Sequence, residues 1–106
     1  MTIPPRAQQR RIKGFKIVPG GVCCTRPGPL GNPFPLVEGE SRQDCVDSFE
    51  RWARRLFKNR VPTNDCERAF LDAWPRVKAA TKLYCFCRID QPCHVDVIRK
   101  LLKEGY

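Results

Sequence analysis

The chain has 106 residues, is 42% hydrophobic and 29% charged, and sets 20 basic against 11 acidic side chains for a net charge of +9. That length fits one domain with one core, and no apolar run reaches the roughly 20 residues that a bilayer-spanning helix needs. The composition is too apolar for a wholly disordered chain, while seven cysteines and the positive charge leave open a metal site, a thiol enzyme and a nucleic-acid binder.

In chain order, residues 1–13 read as a basic N-terminal arm, mobile or laid against a polyanion, because Arg6, Arg10, Arg11 and Lys13 show no period. Residues 14–106 read as a single α/β domain. The segment 1–37 contains no acidic residue and holds six of the nine net charges, so its partner class is phosphate, on a small molecule or on nucleic acid. Met1 to Arg6 has no apolar stretch of the kind a secretory signal carries. With an odd cysteine count, that predicts a reducing cytoplasm and no membrane partner.

Ile12–Val18 alternates loosely and is expected as a first strand, ended by Pro19-Gly20-Gly21. Val22-Cys23-Cys24-Thr25 follows as a second. Arg26–Pro35 holds four prolines and two glycines, so it must be a loop. Leu30, Phe34 and Leu36 would pin that loop to the core. Ser41 and Asp44 are a helix-start pair. The apolar stripe Cys45, Val46, Phe49, Trp52, Ala53, Leu56 and Phe57 predicts a helix over about 42–59. Asn64 or Asp65 caps a second helix, with Pro75 expected to kink or restart it. Lys82–Cys87 predicts a third strand covered on both faces. A last helix opens at Pro92 or Cys93 and ends at Gly105. The fold class is therefore α/β, a short sheet of about three strands packed with about three helices. Cys23, Cys24, Cys45 and Cys66 read as small buried hydrophobes.

Cys85-Phe86-Cys87, then Cys93-His94-Val95-Asp96, is the densest chemistry in the chain, and it contains the one histidine. Thiolate and imidazole are zinc's preferred ligands, so Cys85, Cys87, Cys93 and His94 form a candidate metal set. Against it, an extended strand would separate Cys85 and Cys87 by roughly 6.5 Å, so the chain would have to bend there. A second reading is a ligand or catalytic site at a strand end that feeds a helix N-terminus. There His94 acts as acid or base, Asp96 orients it, and Cys87 and Cys93 are ligand-binding thiols. A third is that the cysteines are core and His94 a satisfied polar group. Arg26 and Asn32, in the Gly-Pro loop, would join the ligand site if the second and third strands are parallel neighbours, since ligands gather at strand carboxyl ends.

Leu30-Gly31-Asn32-Pro33-Phe34, the Phe49–Trp52 helix and Cys85-Phe86-Cys87…Cys93-His94-Val95-Asp96 together resemble the phage and bacterial family called domain of unknown function 4326. The resemblance spans about residues 22–103. Phe86 stands where the family has tryptophan, and the loop proline is displaced to Pro92. The resemblance implies that Asn32, Cys87, Cys93, His94 and Asp96 are marked positions, in a phage or bacterial cytoplasmic setting, and assigns no activity.

The expectation is thus a small cytoplasmic domain binding a phosphate-bearing ligand, a nucleotide or nucleic-acid end, between the Arg26–Phe34 loop and the Cys87–Asp96 turn. The alternatives are a non-enzymatic module for nucleic acid or a host protein, and a zinc-stabilised structural domain. In the ligand-site reading, His94→Ala should lose binding at an almost unchanged thermal midpoint.

Overall fold

A computed structural model describes residues 3–106; Met1 and Thr2 of the expected arm lie outside the described residues. The elements are β1 (Arg6–Gln8), β2 (Gly21–Cys23), α1 (Arg42–Asn59), α2 (Asp65–Lys78), β3 (Lys82–Cys85) and α3 (His94–Lys103). The sheet order is β1-β3-β2, and both pairings are parallel. The small α/β architecture is the one expected.

The helices begin where side chains can satisfy the first free amides. Ser41 Oγ accepts from Asp44 N at 3.1 Å and Asp44 Oδ2 accepts from Ser41 N at 2.9 Å, a reciprocal box at the start of α1. Asn64 Oδ1 accepts from Glu67 N at 2.8 Å and starts α2. Helix α1 stops at Arg60, whose φ of 58° is left-handed. Pro75 does not restart a helix as the alternative reading had it: α2 runs through it and ends three residues later, at Lys78. The apolar faces meet in one core, in which Phe49, Leu56, Phe70, Val77, Leu83, Ile98 and Leu101 are wholly buried.

The N-terminal third differs from the expectation. Ile12–Val18 is not a strand: Gly14 has φ 87° and turns the chain, and Phe15 packs edge-on against Tyr84 at 6.1 Å. The strand lies instead at Arg6–Gln8, inside the segment read as a basic arm, mobile or laid against a polyanion. Backbone bonds hold it, from Leu83 N to Pro5 O at 3.0 Å and from Gln9 N to Cys85 O at 2.8 Å. Cys23 and Cys66 are exposed rather than buried. Cys23 sits on an edge strand and Cys66 on the first turn of α2, where no element covers them.

Because β2 and β3 run parallel, with Val22 opposite Leu83, their carboxyl ends lie side by side. The loop 24–35 leaves one end and the turn 86–93 leaves the other, so the two motif-bearing segments converge at a single edge. Among the described residues no helix is long and apolar enough to cross a membrane.

Candidate metal centre and its cavity

Strand β3 ends at Cys85, and the chain bends at Phe86 and Cys87 instead of continuing extended. The bend brings Cys87 Sγ to 3.7 Å from Cys85 Sγ and removes the separation that an extended chain would impose. The turn then returns the backbone to Cys93 and His94 at the start of α3. One ligand atom from each of Cys85, Cys93 and His94 falls within 4.8 Å of the others, and all three residues are buried. These three residues can hold a metal ion.

His94 is held from behind. Its Nε2 lies 2.8 Å from the carbonyl oxygen of Cys24 and 3.0 Å from that of Leu30. Carbonyl oxygens only accept, so Nε2 carries the proton and donates it. The Nδ1 lone pair then faces Cys93 Sγ at 3.7 Å. Burial pushes the imidazole pKa down, which keeps the ring neutral. The ring also packs edge-on against Phe49 at 5.2 Å. Both ring nitrogens thus face groups of the protein, Nε2 the two carbonyls and Nδ1 the Cys93 thiol.

The thiols share protons unevenly. Hydrogen bonds from Cys85 and then Cys93 hold Cys87 well below the ordinary thiol range. The same bond to Cys87 pushes Cys85 up, and bonds to Cys85 and Cys87 push Cys93 up. Nearby Cys24 is pushed up to about 12 by burial and is an inert core thiol.

The cluster floors a cavity of about 240 Å³ at the carboxyl edge of the sheet. Arg11, Arg26 and Arg42 line its walls, together with Asn32, Phe34 and Phe86. Among the described residues no carboxylate lines it. Sequence reasoning found Arg26 but missed Arg11 and Arg42. The acid-free N-terminal third signalled the former in general terms, while nothing in the sequence singled out the first residue of α1.

The model of the family described as a domain of unknown function, number 4326, matches residues 7–104, nearly the whole chain. The chain belongs to that family. No curated protein and no solved structure matches it.

In this family member the motif residues divide by role. Cys85, Cys93 and His94 come together and Cys87 lies beside them through its 3.7 Å contact with Cys85, whereas Asp96 turns away. Its Oδ2 accepts from Arg6 Nη1 at 2.7 Å and from Cys93 N at 3.2 Å. Asp96 therefore caps α3 and anchors β1, and the orienting of His94 falls to the carbonyls of Cys24 and Leu30. Asn32 borders the cavity with its amide used locally: Oδ1 accepts from Phe34 N at 2.9 Å and Nδ2 donates to Cys45 O at 3.3 Å. It shapes the loop.

Proposed function

We propose that this protein is a zinc-binding domain in which Cys85, Cys87, Cys93 and His94 Nδ1 hold one ion at the junction of β3 and α3. The observation that carries this reading is the tautomer of His94. With Nε2–H given to two backbone carbonyls, Nδ1 has only its lone pair to offer, and it offers it to a cluster of thiols. A ligating histidine that donates its other N–H to a carbonyl is the usual outer arrangement of a zinc site.

The spacings support the same reading. Two sulfurs about 2.3 Å from zinc in a tetrahedron sit about 3.8 Å apart, and a sulfur and a nitrogen sit about 3.6 Å apart. The Cys85–Cys87 and Cys93–His94 separations are both 3.7 Å. Three sulfurs and one imidazole favour zinc over the hard cations. The ion would tie the bent end of β3 to the start of α3, and through His94 to the loop after β2. In so small a domain such a staple contributes directly to folding.

X-ray absorption at the zinc edge tests the ligand set. Three sulfurs near roughly 2.3 Å and one nitrogen near roughly 2.0 Å are expected, and a shell of oxygens would contradict it.

A further inference from the structure

Three arginines line the cavity above the thiol–imidazole floor, and among the described residues none of them has an acidic partner. Among the described residues Arg11, Arg26 and Arg42 enter no ion pair, although five other basic side chains do. The six ion pairs lie elsewhere on the molecule, and no Asp or Glu borders the cavity. All three side chains are exposed and line one half-open cavity, so their like charges sum there into a field that favours an anion between them.

The floor does not supply that anion. Three thiolates around a divalent ion carry one net negative charge, and the three guanidiniums outweigh it. The walls are not wholly polar: Phe34, Leu36 and Phe86 face the same space. Arg11 places its guanidinium carbon over the Phe86 ring at 4.2 Å from the centroid, within cation–π range. Arg26 is held by close packing, since its backbone N and Cγ stand only 2.9 Å from where a side chain on Gly31 would begin.

We propose that the cavity binds a small phosphomonoester, its phosphate held by Arg11, Arg26 and Arg42 and its organic part against the apolar wall. Guanidinium groups match phosphate oxygens in pairs, which a chloride or a carboxylate would not exploit as fully. A volume of about 240 Å³ is below the usual range for drug-sized ligands and suits a phosphate with one sugar or ring attached. The inference deepens the metal reading, because the proposed zinc centre forms the cavity floor, but it draws its charge from separate residues. The phosphate can belong to a free mononucleotide or to the 5′ end of an oligonucleotide, and the two are separable by experiment.

Calorimetric titration of the folded chain with inorganic phosphate, with a nucleoside 5′-monophosphate and with a 5′-phosphorylated trinucleotide tests this, with metal content measured on every sample. Saturable binding of the monophosphate is expected, tighter than inorganic phosphate and absent for the unphosphorylated nucleoside. Tighter binding of the trinucleotide, lost without its 5′ phosphate, would assign the source to nucleic-acid ends. Arg26→Gln, Arg42→Gln and Arg11→Gln should each weaken binding roughly tenfold or more without changing metal content. If Arg26→Gln does not fold, the other two substitutions carry the test. No saturable binding by any phosphorylated probe, in a chain that holds its metal, would overturn this inference and leave the zinc reading intact. Binding by a chain that never takes up metal would support it while contradicting the zinc reading.

Discussion

His94 Nε2 lies 2.8 Å from the carbonyl oxygen of Cys24, joining the first residue of α3 to the residue just past β2. That bond, with its partner to Leu30, does two things. It fixes which ring nitrogen faces the thiols, and it satisfies two carbonyls that the loop 24–35 would otherwise bury unpaired. His94→Ala should therefore cost about 3 kcal/mol or more in urea unfolding, measured with a chelator present so that metal loss does not contribute. An almost unchanged midpoint, the expectation of the ligand-site reading, is the opposite outcome. A change under about 0.5 kcal/mol would show that these bonds do not hold the loop.

Arg6 ties the N-terminal strand to the turn that carries the cluster. Its guanidinium donates to Asp96 Oδ2 at 2.7 Å, to Gln91 O at 2.9 Å and to Arg88 O, and its side chain is only 8% exposed. Arg6→Ala should destabilise the fold by about 1–3 kcal/mol, since it removes the donor to two backbone carbonyls and one of the two donors to the half-exposed Asp96 carboxylate. Arg6→Lys should recover little, because an ammonium cannot reach all three acceptors at once. Chemical denaturation of both variants checks this, and full recovery by lysine would contradict it.

Glu67 anchors α2 to α1 and gives the protein an acid-sensitive joint. Its carboxylate accepts from Thr63 N and Thr63 Oγ1 at 2.8 Å, from Arg55 Nη2 at 2.6 Å and from Trp52 Nε1 at 3.2 Å. The Thr63 amide first, then Arg55, holds its pKa down from 4.5 to about 2. A carboxylate depressed on folding contributes its full stabilisation above the unfolded value of 4.5 and loses it as pH falls toward 2. The urea midpoint of the parent chain should fall through that window. Glu67→Gln should start lower near neutrality and decline less, and parallel curves would contradict the assignment.

Gly31 marks the closest backbone approach in the loop. A Cβ there would stand 2.9 Å from Arg26 N and 2.9 Å from Arg26 Cγ. Gly31→Ala should cost about 1–3 kcal/mol and displace Arg26, weakening phosphomonoester binding with it. Unchanged stability together with unchanged binding would contradict that placement.

Most of the helical framework was legible because its signals are local. The stripe from Cys45 to Phe57 and the Ser41–Asp44 pair place α1 at its observed bounds, and Asn64 starts α2. The cluster was legible as a set of residue types. What hid its geometry was the bend after Cys85, which sets Cys87 beside Cys85 and brings the chain back to Cys93 and His94. Strand β1 was not legible at all. Arg6-Ala7-Gln8 has no strand-like side chains, and it is a strand only because β3, about 75 residues away in sequence, offers an open edge. Ile12–Val18 has the better local pattern, but Gly14 turns the chain there and the edge is already taken. The tautomer of His94 lay equally out of reach, since the carbonyls that fix it come from 64 and 70 residues upstream.

The zinc centre is tested most directly by counting metal. The chain, purified under reducing conditions without chelators and analysed by elemental mass spectrometry, should carry about one zinc per molecule, and Cys85→Ser with Cys93→Ser should carry almost none. A folded parent chain with fewer than about one zinc per ten molecules, and no uptake when zinc is supplied, would contradict the account.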